Sequence, residues 1–434
     1  MSGLAAAVRL SDAGIRAITI FEARARAGGR TRSYVDPTTG DILDNGQHLL
    51  MGCYTSTLDY LRHIGSEHLL DRIPLRIPFW SASGVRSFTI DRSLAPPMNL
   101  LAALARTSLL TLGEKRAAAK LGFAIWRSKL PKDLDQMTCA DFFQYFAQPL
   151  SLIAKLWSPI VLATINATPD TASAELFVNV LREAFFSGRS ASMLLMPQCG
   201  LSKLLVDPAI TYLENSGISV RLGSPVRGIQ WNENKYEVVS DTETISFDAV
   251  INAAPQSSLW PVEIRNPMPD IIYSPIVNAY FWLDRPVLKA PAPFKGQPVH
   301  AFVGTTLQWA FPKRSGFCAG AHACAERLAL TVSAAESLVE MPNEEIRDIL
   351  WDDLKRTVPA AANATLLHWQ IIREKRATPL FTPELQRSRP ASSTSMNNFF
   401  VAGDIVQNGL PATIEGAIRN GCAAAELLIK HSRG

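Results

Sequence analysis

A helix that feeds a strand ending in an acid constrains this chain more than any other feature. The stretch "SGLAAAVRLSDAG" sets Leu4, Val8 and Leu10 at helical spacing and stops at Gly14. "IRAITIFEA" follows as a β-branched run that closes on Glu22. A helix entering a parallel strand with an acid at its tip is the second half of a dinucleotide-binding βαβ unit, where the acid hydrogen-bonds the adenosine ribose. The distance from Gly3 to Glu22 fits if Gly3 is the third glycine of G-x-G-x-x-G. The first strand and the first two glycines would then precede Met1. The expectation is that roughly ten to fifteen upstream residues, a strand and its loop, belong to the working protein. The rival reading is that Met1 is the true start and the nucleotide is held weakly or not at all.

The next segment, "GGRTRSYVDPTTGDILDNGQHLL", supplies what a diphosphate needs. Gly28 and Gly29 let the backbone approach closely, and Arg30 adds a permanent charge. "DPTTGDILDNGQ" reads as a hairpin turn and short strand that bring Gly46 and Gln47 toward the same crevice. Residues 217–255 read as short strands with turns, ending in an apolar strand that runs into Ala253-Ala254-Pro255. "NNFFVAGDIVQNGLPATIEGAIRNGCAAAELLI" reads as a buried strand, a Gly403-Asp404 tip, a loop with Pro411 and a helix from about Ala412. Such a helix N-terminus favours negative charge in the crevice.

Composition excludes other classes. With 434 residues, 47% hydrophobic and 19% charged, the chain can build two or three packed cores. A net charge of +4 is too small for a nucleic-acid footprint. No apolar run reaches the roughly eighteen residues of a membrane span. Charges at Arg9, Asp12 and Arg16 interrupt any signal-peptide core. The six cysteines lack C-x2-C spacing and form no disulfide framework, which fits a reducing cytoplasm. "CAGAHAC", with Cys318, His322 and Cys324, reads as a packed turn or helix, so no metal is expected.

Together these residues resemble the flavin-containing amine oxidase and phytoene desaturase superfamily, along nearly the whole chain. Within it, "GGRTRSYVDPTTGDILDNGQHLLMGCYTSTLDYLRHIG" and "FVAGDIVQNGLPATIEGAIRNG" are most similar to the squalene-associated branch, the hydroxysqualene dehydroxylases. The resemblance implies an α/β (α+β), two-domain fold with a discontinuous Rossmann-type FAD domain over 1–50, 200–258 and 393–434. A mixed substrate domain would take 51–199 and 259–392. FAD is the implied cofactor. Gly3 would be the surviving fingerprint glycine, Glu22 the ribose ligand, and Gly28, Gly29 and Arg30 the diphosphate contacts. Val226 would meet the adenine. Gly403 and Asp404 would contact the diphosphate and ribityl chain, Ala412, Thr413 and Ile414 the isoalloxazine end, and Gly46, Gln47 and His48 the flavin face.

The implied substrate is a polyisoprenoid alcohol, hydroxysqualene, reduced to squalene by hydride transfer to an allylic cation. His48 is the candidate acid. "FVNVLREAFFSGRSASMLLMPQCGL" and "IVNAYFWLD" offer apolar walls for a long tunnel, although such stripes more often build ordinary cores. Residues 96–132 read as a basic amphipathic helical pair. They either lie against membrane lipid or present a merely solvated basic face. Two alternatives remain open. One is an FAD-dependent polyene desaturase or amine oxidase, without covalent flavin because no cysteine lies in the C-terminal loop. The other is a non-enzymatic isoprenoid-binding escort protein of the same fold.

Overall fold

The structure, a computed structural model, describes residues 1–255, 271–288, 297–314 and 324–433. Its first helix spans Ser2–Asp12 and ends before Gly14, whose φ of +89° is strained for any residue with a Cβ. Thr19–Glu22 follows and pairs in parallel with Ser219–Leu222. A second parallel pair joins Val250–Asn252 to Phe399–Val401. These four strands come from the beginning, middle and end of the chain. Among the described residues no strand bridges the two pairs.

The last helix, Ile414–Arg433, crosses the first so closely that a Cβ on Gly421 would fall 2.2 Å from the Ser2 carbonyl oxygen. Arg9 and Glu426 pair across that crossing. The helix begins two residues later than the sequence suggests. Thr413 is spent as its N-cap, its hydroxyl accepting from Gly416 N–H at 3.0 Å, and a capping residue stays outside the helical conformation.

A seven-stranded sheet forms the other half of the scaffold. Its order is Leu366–Pro379, Tyr273–Leu283, Glu326–Ser333, Trp309–Arg314, His300–Phe302, Arg76–Ser81 and Gly84–Thr89. All neighbours are antiparallel except His300–Phe302 with Arg76–Ser81. Tyr273–Leu283 is buried on both faces, which explains its near-continuous apolar run. Val277, Ala279, Phe281 and Leu283 share one core with Ile346, Leu350 and Leu354 of helix Asn343–Thr357. On the opposite face Tyr280 Oη donates to Asp44 O at 2.9 Å and Trp282 Nε1 to Asp41 Oδ2 at 2.6 Å. The hairpin of Ser33–Val35 and Ile42–Asp44 is thereby fixed over the sheet.

Helices between 98 and 186 pack around Phe142, Phe143, Trp157 and Phe177, a separate core. The basic pair expected from 96–132 forms as Met98–Arg106 and Leu112–Trp126. The second begins with a capping box in which Thr111 and Glu114 satisfy each other's backbone N–H. Among the described residues no helix is long and apolar enough to cross a membrane.

Candidate functional site

One cavity of about 1790 Å³ is lined by every residue that the sequence offers for FAD and by His48. Gly3, Glu22, Gly28, Gly29, Arg30, Gly46, Gln47, His48, Val226, Gly403, Asp404, Ala412, Thr413 and Ile414 all line it. Apolar side chains line it as well, among them Leu75, Ile77, Ile160, Phe185, Leu194 and Phe311. The volume exceeds the roughly 300–1,000 Å³ of a site for one small ligand and leaves room for a dinucleotide and a second molecule.

Local structure explains why these side chains converge. Gly28 and Gly29 adopt φ of +100° and +59°, and the turn is closed by Thr31, whose N–H and hydroxyl both donate to Gly28 O. A Cβ on Gly28 would lie 2.7 Å from Val206 Cγ2, so that position is closed from behind. Arg30 then pairs with Asp404 and donates to Ala377 O at 2.5 Å. The adjacent Asp404 carboxylate raises the guanidinium pKa further. Glu22 sits at its strand's end, with Oε1 accepting from Arg24 N–H at 3.0 Å. Gly46 approaches the sheet closely, since a Cβ there would be 3.0 Å from Asn278 Nδ2.

The residues fit a flavin dinucleotide. A Cβ built at Gly29 or Gly403 would meet nothing within 4 Å, so bare backbone fronts open space at both points. The first helix has no side-chain cap, and its N-terminal Met1, Ser2 and Gly3 border the cavity, leaving backbone N–H groups for a phosphate.

His48, the candidate acid, lines the cavity. Burial, and secondarily the charge of Arg30, push its imidazole down to about 4. At pH 7 such a ring is neutral, so it accepts a hydrogen bond at one nitrogen and donates at the other. Tyr54, which the sequence reading passed over, lines the same cavity, and burial raises its phenol well above the usual range, so it stays protonated. Cys53 is beside it, but burial pushes its thiol up to about 12 and leaves no thiolate at neutral pH.

The match of residues 1–429, nearly the whole chain, to the family model described as flavin containing amine oxidoreductase decides the relationship. The chain belongs to that family. Among curated relatives of this flavin amine oxidoreductase is the hydroxysqualene dehydroxylase of Sinorhizobium fredii, 31% identical and covering 100% of this chain and 97% of the relative. That of Zymomonas mobilis is 32% identical, covering 100% and 98%. Among solved structures, cyclohexylamine oxidase from Brevibacterium oxydans superposes with a TM-score of 0.71 at 15% identity, over 100% of this chain and 97% of that one. The fold is therefore the α/β flavin amine-oxidase type, and the cofactor is FAD.

Several supporting residues of this flavoenzyme carry no motif and were missed. Arg389 is buried and donates to the carbonyls of Asp404, Ile405, Val406 and Leu410 and to Gln386 Oε1. It shapes the loop that presents Gly403 and Asp404. Asn420 Nδ2 donates to Gly403 O and Val406 O from the other side. Glu415, fully buried, accepts from Ser56 N–H, Thr57 N–H and the Thr57 hydroxyl, capping helix Thr55–His63 from 358 residues away. Arg419 ties Glu415 to Glu183 on the cavity wall. A lone Arg or Glu in a polar loop gives no sequence signal for such distant partners.

The structure places two further stretches. In "IVNAYFWLD", only Ile276 and Asn278 reach the cavity, because the strand's other residues pack under the hairpin or against helix Asn343–Thr357. Cys324 is disulfide-bonded, whereas Cys53, Cys139, Cys199 and Cys422 are free. Cys318 and His322 lie outside the described residues.

Proposed function

We propose that this flavoenzyme carries out the reductive dehydroxylation of hydroxysqualene to squalene. The observation that carries the reading is full-length similarity to hydroxysqualene dehydroxylases, in a chain whose dinucleotide-lined cavity continues into an apolar chamber. Bound FAD, when reduced, supplies a hydride. The chain's residues do the rest. Glu22, Gly28, Gly29, Arg30, Gly403 and Asp404 hold the dinucleotide, with Gly3 at the phosphate end and Val226 beside the adenine. Gly46, Gln47 and residues 412–414 border the ring. Leu75, Ile77, Ile160, Phe185 and Phe311 exclude water, so that a carbocation on the isoprenoid is not captured by it.

The neutral His48 ring and the Tyr54 phenol are assigned to the substrate's only hydroxyl. Tyr54, still protonated, would give its proton to the oxygen as the C–O bond breaks, so that water leaves, and would regain a proton from solvent once product departs; His48 would orient the hydroxyl. Tyr54→Phe should lower kcat by about 10²-fold with flavin content unchanged. His48→Ala should reduce turnover without stripping FAD. Anaerobic conversion of hydroxysqualene by the photoreduced protein tests the whole reading: squalene is expected, and a flavin-replete protein that returns the alcohol intact would overturn it. The segment organisation 1–50, 200–258 and 393–434 against 51–199 and 259–392 belongs to this proposal, as do a cytoplasmic location and contact with the membrane that stores such a substrate.

A further inference from the structure

We infer that the face built by Met98–Arg106, Leu112–Trp126 and the start of the helix at Leu150 docks on an anionic lipid bilayer. The inference rests on the proposed isoprenoid substrate only for its purpose; the surface itself is read from the side chains.

Large apolar side chains are concentrated here and left in water. Leu150 is 84% exposed, Leu112 63% and Phe123 53%, with Met98, Leu101 and Trp126 also exposed. Single exposed hydrophobics are ordinary, but these lie on three elements in mutual contact. Lys115 Nζ donates to Ala105 O at 2.8 Å, linking the first helix to the second. Glu114 accepts from the Ser151 hydroxyl at 2.6 Å and from Lys155 at 2.8 Å, linking the second to the third.

Spacing puts them on common stripes. Leu112, Arg116, Lys120, Phe123 and Arg127 recur every three or four positions, so apolar anchors bracket basic residues along one side of the helix. Phe123 and Trp126 have ring centroids 5.6 Å apart, and the Arg127 guanidinium lies 5.6 Å from the Trp126 ring centroid. Met98 and Leu101 form the corresponding edge of the neighbouring helix. Between 98 and 132 the one acid, Glu114, is buried and paired with Lys155, so every exposed charge on that stretch is positive. Interfacial helices combine shallow apolar insertion with attraction to anionic headgroups in this way.

The face also leads inward. The helix that begins at the exposed Leu150 continues without a break through Trp157 to Ile165, where Ile160, Ala163 and Thr164 line the cavity. Ten residues of helix, about 15 Å, separate the surface anchor from the apolar chamber. A lipid-soluble substrate taken from the bilayer would travel beside that helix.

Co-sedimentation of the flavin-loaded protein with phosphatidylcholine vesicles, with and without phosphatidylglycerol, tests this. The protein should pellet with the anionic vesicles and be released by salt. Leu112→Glu/Phe123→Glu/Leu150→Glu should abolish binding, and Arg116→Glu/Lys120→Glu should weaken it by tenfold or more, on the order expected for reversing two surface charges. Turnover of detergent-dispersed alcohol should persist in both variants. Failure of the wild-type protein to bind, or equal binding by both variants, overturns the inference. So does a self-associated form that binds no vesicles and that the triple variant dissociates, since a second copy would then cover the face. Vesicle binding without dehydroxylation would leave the docking face standing and remove the proposed reaction.

Discussion

Arg389 shows how much of this site depends on one side chain without a motif. Five acceptors converge on its buried guanidinium, four of them carbonyls of the loop after Gly403. Burial lowers its pKa to about 10, yet it stays charged at neutral pH. Arg389→Met would strand those carbonyls and should cost about 3–5 kcal/mol, read as a lower Tm together with weaker flavin retention. His300 gives a pH signature. Its Nδ1 accepts from Trp80 Nε1 at 2.9 Å, so the ring proton sits on Nε2, which donates to Gln297 O. Burial pushes the ring down to about 4, against a partial upward pull from Gln297. Between about 6.5 and 4 the unfolded chain binds a proton that the folded one refuses. Stability therefore falls as pH drops through that window, by on the order of 3 kcal/mol. Protonated Nδ1 would also meet the Trp80 N–H head-on. His300→Phe should make the stability slope between pH 6.5 and 4 shallower in denaturant titrations; an unchanged slope would remove His300 as its source.

Elements hold the two halves of the cavity together. Glu415 and Arg419 lie one turn apart on the last helix; one caps helix Thr55–His63 and the other grips Glu183, which lines the cavity. Hydrogen bonds with Glu183 raise the Arg419 pKa despite partial burial, as expected of a guanidinium between two carboxylates. Arg419→Met should loosen that wall, raising KM more than it lowers kcat, because it frees a surface and removes no reacting group. At the other end of the helical layer, burial works to protonate Glu114. Bonds from Lys155, Ser151 and Thr111 outweigh it and hold the carboxyl at about 2. That stabilisation is present above the unfolded value near 4.5 and lost as pH falls toward 2. Glu114→Gln should flatten the acid end of the unfolding curve. In the sheet, Phe281→Ala should cost about 3–5 kcal/mol, since the ring is fully buried against helix Asn343–Thr357.

At the scale of the molecule, one cavity is walled by the beginning, middle and end of the chain, so cofactor binding and stability are linked. FAD binding the folded state alone raises the free energy of unfolding by about 2.7 kcal/mol at a hundredfold excess over Kd. Added FAD should therefore raise the melting temperature, and Gly28→Ala should weaken that response. Its Cβ would strike Val206 and strain a φ of +100°.

The sequence by itself determined which glycine turn and strand tip line the cavity. Gly28, Gly29, Arg30 and Glu22 are close in sequence, and turn geometry, charge and strand position act over a few residues. The strand before Gly403 and the helix after Pro411 were legible for the same reason, their periods and caps being local. Only the tertiary structure decided what those pieces face. The neutral state of His48 comes from burial by distant elements, the loop shape from Arg389, and the joining of the walls from Glu415 and Arg419. The alternation of Tyr273–Leu283 between cavity, hairpin and helix likewise needed its neighbours, because a strand buried on both faces carries no pattern that says which ligand or layer lies on either side.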